Sequence, residues 1–129
     1  MTIIGIGLDV VKIDRVRAMV ERWQDRFLTR LYTEGERQLS AKRASPYAFL
    51  AGRFAAKEAI LKALGTGWSG GVRWLDIQVL NDPAGRPIAT VQGRAEALIR
   101  EAGITHILIS LAHDGDYAMA EAVLTTDSS

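Results

Sequence analysis

The chain has 129 residues, of which 48% are hydrophobic, with no cysteine and a formal net charge of +1 at pH 7. That length suits one domain with a modest core. The balanced charge gives no global field toward nucleic acid, and the absence of thiols excludes disulfides and thiolate metal sites. No apolar run approaches the ~20 residues that a membrane-spanning helix needs, so a soluble, cytoplasmic protein is expected.

Ile3 to Leu8 reads as a strand with Ile4, Ile6 and Leu8 on one face. Gly5, Gly7 and Asp9 take the other, which suggests that a backbone or a ligand approaches closely there. Residues 12–31 predict a helix in two pieces. Val16, Met19, Val20 and Trp23 form its apolar stripe, and Arg15, Arg22, Arg26 and Arg30 cluster on its exposed side. Thr33 and Glu36 have the spacing of a capping box, opening a short helix to about Ala41.

The best-punctuated element follows. Ser45 is a candidate N-cap, Pro46 fits the first helical position and Gly65 the C′ position, so a helix is expected over 46–64. Phe49, Leu50, Phe54, Ile60, Leu61 and Leu64 fill one arc of it. The opposite arc is Ala48, Gly52, Ala55, Ala59 and Ala63, where a surface helix would carry charge. Arg53 and Lys57 fall inside the apolar arc, and Glu58 and Lys62 lie along its edge. Charges on a helix packed on most sides need partners or a ligand. One account is a plain Glu58–Lys62 pair one turn apart, with Arg53 and Lys57 reaching past their apolar neighbours. The other is a site holding a cation and phosphates, with Glu58 as a hard oxygen ligand. Mg²⁺ commonly takes one or two carboxylates plus water and substrate phosphates. Asp9 is the natural second ligand, although Asp14 and Asp76 are equally admissible on chemistry alone.

Gly65-Thr66-Gly67 and Ser69-Gly70-Gly71 could let backbone amides approach phosphate, or simply end the helix and connect it onward. A strand is expected over 72–80, a turn at 81–85, a strand over 88–91 and a helix over 94–102. Two strands, 106–112 and 117–124, flank the Asp114-Gly115 hairpin turn. His106 and His113 fall at opposite ends of one strand, which argues against zinc. Residues 125–129 read as a polar, frayed tail after a single domain over 1–124. The order predicts an α+β fold, with a mostly antiparallel sheet packed on a long central helix.

Three segments carry a resemblance to a known family. They are Gly5-Ile6-Gly7-Leu8-Asp9-Val10, the stretch from Phe49 to Ala59 continuing through Lys62 to Gly67, and Ile109 to Asp114 with Tyr117-Ala118. Together they resemble the short, single-domain 4'-phosphopantetheinyl transferases, the holo-acyl-carrier-protein synthases, over residues 3 to about 124. The resemblance implies transfer of the phosphopantetheine arm of coenzyme A to a serine of acyl carrier protein, in support of fatty acid biosynthesis. It implies that Asp9 and Glu58 bind Mg²⁺ and, with Lys62, form the catalytic set. Arg53, Lys62, Gly65, Thr66, Gly67 and His113 would lie at the coenzyme. Arg15, Met19, Arg22, Arg26, Phe27 and Arg30 would meet the acidic carrier. It also implies a homotrimer with its sites at subunit interfaces, which would account for the arc of small residues. Larger members carry a further acidic ligand two positions after the first aspartate; here that position is Val11. Trp23-Gln24-Asp25 interrupts the basic face. Two other functions share these residues: a metal-dependent phosphoanhydride hydrolase, and a non-catalytic adaptor for coenzyme A or carrier.

Overall fold

A computed structural model of the chain describes residues 1–127. The elements are β1 (Thr2–Lys12), α1 (Ile13–Trp23), α2 (Asp25–Leu31), α3 (Glu34–Ala41), α4 (Pro46–Leu64), β2 (Ile77–Asn81), β3 (Pro87–Val91), α5 (Gly93–Glu101), β4 (His106–Asp114) and β5 (Tyr117–Thr126). β1, β5 and β4 form one antiparallel sheet in that order, and β2 and β3 a separate antiparallel pair. The expected α+β architecture on a central helix is therefore present.

Helix α4 is the axis of the core. Ala51, Ala55, Ala56, Ala59 and Ile60 on it are fully buried, as are Ala118, Ala122 and Leu124 on β5. The close approach foreseen at the strand glycines is to this helix. A Cβ on Gly7 would lie 1.9 Å from the Ala59 carbonyl oxygen, and one on Gly5 would lie 2.0 Å from that of Ala63. No side chain fits there, so glycine is required by contact, not by its backbone angles. Ala59 and Ala63, two members of the arc of small residues, are thus accounted for by the chain's own sheet. Gly52 is different: a Cβ there would meet His113 Nε2 at an ordinary 3.9 Å, so no clash within the chain dictates it.

With glycine facing inward, the apolar side chains of β1 face out. Ile6 is 61% exposed and Leu8 56%, and Ile4, Val10 and Leu108 are exposed as well. The register aligns Ile6 with Val123 and Leu108, Leu8 with Glu121 and Ser110, and Val10 with Met119 and Ala112. The outer sheet face is therefore largely apolar, with Glu121 near its centre.

Three expectations shift. The strand expected over 72–80 begins only at Ile77, because Trp74–Asp76 form a 3-10 turn. The Asp76 carboxylate holds that turn by accepting from the Arg73 amide at 3.0 Å. Ser45 precedes α4 but makes no side-chain cap. Fraying does not begin at Thr125 as expected, since β5 runs through Thr126 and both Thr125 and Thr126 are buried against the fold. Ser128 and Ser129 lie outside the described residues. The two-piece helix breaks at Gln24, whose φ of 50° ends α1 and opens α2. The Thr33–Glu36 capping box forms as expected.

Candidate active site

Two of the four α4 charges belong to the fold. Lys57 is wholly buried, and its ammonium donates to Glu36 Oε1 at 2.8 Å, to the Leu31 carbonyl at 2.6 Å and to the Trp74 carbonyl at 3.1 Å. Glu36, also wholly buried, accepts from the Thr33 amide through Oε1 and from the Val79 amide through Oε2, each at 2.8 Å. All three ammonium protons and both carboxylate oxygens are thereby used, as a buried pair requires. Burial pushes the Lys57 ammonium below its usual range, and the Glu36 charge opposes that shift. Arg53 lies 4.0 Å over the Phe49 ring and donates to the Val79 carbonyl at 3.1 Å and to Asn81 Oδ1 at 2.8 Å. Its burial lowers the guanidinium pKa to about 10.

The other two charges find partners on β1 and in the loop that follows α4. The simple Glu58–Lys62 pair is absent. Lys62 Nζ instead crosses to β1, donating to Asp9 Oδ1 at 2.9 Å and to the Leu8 carbonyl at 3.0 Å. Glu58, one turn earlier on α4 and half-buried, accepts from Trp68 Nε1 through Oε1 at 3.2 Å. Asp9 and Glu58 are thus presented by two elements locked together at the glycine contact. Asp14 is exposed on α1 beside Arg17, and Asp76 is committed to Arg73, so each is engaged elsewhere. Among the described residues, no three histidine, aspartate or glutamate side chains gather closely enough to hold a metal by themselves. Asp9, held by Lys62, and Glu58, held by Trp68, are oxygen donors of the kind taken by a hard cation that keeps waters and borrows phosphate oxygens from its substrate, as Mg²⁺ does.

The residues expected at the coenzyme fall in two places. Lys62, Gly65, Thr66 and Gly67 sit at the C-terminal end of α4, where Gly65 caps the helix with φ 79°. Arg53 and His113 line a different cleft, together with Arg43, Ser45, Asn81 and Arg86. Arg53 and Gly65 are twelve positions apart on one helix, roughly 18 Å at 1.5 Å per residue. Asp9 and His113 stand on the two outer strands of the sheet, with β5 between them. One chain does not gather these groups at a single point.

The basic helices form a groove. Arg15, Met19, Arg26, Phe27 and Arg30 line one cavity of about 500 Å³ together with Trp23, Phe54 and Trp74. Arg22 is not in its lining; it lies 4.9 Å over the Trp23 ring, with Arg26 at 5.5 Å from the same ring. Trp23, read in the sequence as part of an interruption, therefore anchors the basic face. Trp68 and Trp74, stacked with ring centroids 4.0 Å apart, belong to no motif read in the sequence. Tryptophans beside a glycine- and serine-rich loop are the signal that could have found them, because so large an apolar surface needs a partner. Among the described residues, no helix is long and apolar enough to cross a membrane.

Comparison with known proteins gives a consistent picture. Residues 5–122 match the family model of the 4'-phosphopantetheinyl transferase superfamily. A holo-acyl-carrier-protein synthase from Desulforudis audaxviator is 46% identical over 121 residues, covering 94% of this chain and 92% of the relative. The crystal structure of the holo-acyl-carrier-protein synthase from Neisseria meningitidis superposes with a TM-score of 0.89 at 31% identity, covering 96% and 99% of the two chains. That of the Helicobacter pylori enzyme, in complex with coenzyme A, gives 0.83 at 31% identity, covering 93% and 99%.

Proposed function

Because the chain belongs to the 4'-phosphopantetheinyl transferase superfamily, we infer that it is a holo-acyl-carrier-protein synthase. It transfers 4'-phosphopantetheine from coenzyme A to a serine of apo-acyl carrier protein and releases adenosine 3',5'-bisphosphate. The observation that carries this function is the match over residues 5–122, and it agrees with the Asp9–Lys62 contact that ties β1 to α4 beside Glu58.

Asp9 and Glu58 are the residues that would hold Mg²⁺, which when bound neutralises the pyrophosphate and stabilises charge developing in the transition state. The carrier serine oxygen attacks the β-phosphorus in line, and the bond to the bridging oxygen of the departing nucleotide breaks. Glu58 is the group assigned to take the serine proton. Lys62 keeps Asp9 oriented and adds positive charge near the phosphates. Most of the acceleration then comes from positioning and electrostatics. The groove of Arg15, Met19, Arg26, Phe27 and Arg30, rimmed by Arg22, receives the acidic carrier.

The separation of Arg53 and His113 from Lys62 and the Gly65–Gly67 loop supports sites completed by neighbouring copies. The exposed apolar face of β1, β5 and β4 offers the surface for that contact, and we assign a homotrimer to it. A cytoplasmic setting suits a chain without cysteine.

The test incubates the protein with apo carrier, coenzyme A and Mg²⁺, then weighs the carrier and assays the coenzyme. Added phosphopantetheine mass supports transfer. Cleaved coenzyme with unchanged carrier favours hydrolysis, and no change in either favours an adaptor.

A further inference from the structure

We propose that Trp68 is a positioning residue that holds the Glu58 carboxylate and ties it to the floor of the basic groove. The indole N–H of Trp68 engages Glu58 Oε1 at 3.2 Å. The same indole stacks on Trp74, with centroids 4.0 Å apart and planes 24° from parallel. Trp74 in turn lies 4.9 Å from the Phe54 ring, and Phe54 and Trp74 both line the groove. A single aromatic column therefore runs from the groove to a carboxylate of the site.

Each link in the column is constrained. The Trp74 backbone is anchored, because its carbonyl accepts from the buried Lys57 ammonium. Phe54 is fixed on α4, one turn before Glu58. Trp68 is held in a short 3-10 turn over Gly67–Gly70, so its ring is fixed by the stack and its N–H by the carboxylate. An indole is a donor only, so the bond engages one of the two Glu58 oxygens and leaves the other open. Groups that orient a metal-binding carboxylate govern its affinity even though they do not touch the metal.

The proposal rests on the assignment of Glu58 as a cation ligand. Trp68→Phe keeps a stacking ring and removes the donor. Mn²⁺ is the probe, because carboxylate and water ligands suit it as they suit Mg²⁺ and its binding is read directly by electron paramagnetic resonance. In the presence of coenzyme A, Trp68→Phe should weaken Mn²⁺ binding about tenfold, the low end of the effect of losing such an orienting partner. It should lower kcat by a similar factor while leaving KM for the carrier and the melting temperature close to the parent values. Trp68→Ala should additionally raise KM for the carrier, since Trp74 loses its stacking partner. A purely structural Trp68 would shift melting and KM without a separate loss of Mn²⁺ affinity. Unchanged Mn²⁺ affinity in Trp68→Phe, alongside weakened binding in Glu58→Gln, overturns this inference alone. Unchanged affinity in Glu58→Gln overturns the cation assignment and the inference together.

Discussion

Asp9 and Glu58 do different structural work from the charges beside them, and substitutions should separate the two kinds. Asp9→Ala or Glu58→Ala is expected to cut transfer by at least about a hundredfold, the loss of a few kcal/mol of transition-state stabilisation. Folding should persist, as read by circular dichroism, because Asp9 and Glu58 lie at the margin of the core. Lys57→Met should do the reverse. It leaves Glu36 buried without its counter-charge, at a cost of about 3–5 kcal/mol. Chemical denaturation would show that loss. The Glu36→Gln, Lys57→Met double variant should lose less than the sum of the single changes. The sequence marked Lys57 as an anomaly with two readings, a chain reaching past its apolar neighbours or a charge set against phosphate, and the buried pair with Glu36 is neither. Glu36 lies twenty-one positions away, and pairing over that separation is not written in local pattern. Arg53 is similar: its partners Val79 and Asn81 are known only once β2 has been placed.

Local chemistry decided the elements it could reach. The helix over 46–64 was legible because Pro46 and Gly65 punctuate it, and the Thr33–Glu36 box because both its members lie within one turn. The strand over 72–80 was overextended because Val72, Trp74 and Leu75 are as apolar as a strand would be. A buried aspartate and a tryptophan stack turned them into something else. Gly7→Ala tests the tightest contact between elements. Its methyl would displace β1 from α4, so stability should fall by about 1–3 kcal/mol and activity with it, since Asp9 moves too. The β2–β3 turn should respond to acid. Asp82 Oδ1 accepts from the Ala84 and Arg86 amides, each at 2.9 Å, and these bonds together with the Arg86 side chain hold its carboxyl below the usual 3.8. A depressed carboxyl in the folded state supports the fold above pH 3.8, and that support is lost as pH falls through the lower folded value. Acid unfolding of Asp82→Asn should therefore converge on that of the parent below pH 3.8 and diverge above it.

At the scale of the whole molecule, the groove and the outer sheet face make separate predictions. Reversing Arg22 and Arg26 to glutamate should raise KM for the acidic carrier by about tenfold or more, because like charges then oppose across the contact. The effect should weaken with added salt. The native mass should be three times the 14.1 kDa of one chain, and Leu8→Glu should dissociate the assembly and weaken coenzyme A binding. The sequence showed Ile4, Ile6 and Leu8 on one strand face but not that this face points outward. That follows from the inward glycines meeting α4, a contact between residues more than fifty positions apart.

The pairing of β1 with β5 has a consequence for synthesis. β1 waits for β5, since Thr2 to Lys12 align with Tyr117 to Thr126, with one register shift between Ile3 and Gly5. Until the ribosome has delivered β5, Asp9 sits on an unpaired ribbon whose inner side offers glycine and little to hold it. A chain lacking β5 should thus carry no competent catalyst, and activity should appear only once Tyr117 to Thr126 can pair with β1.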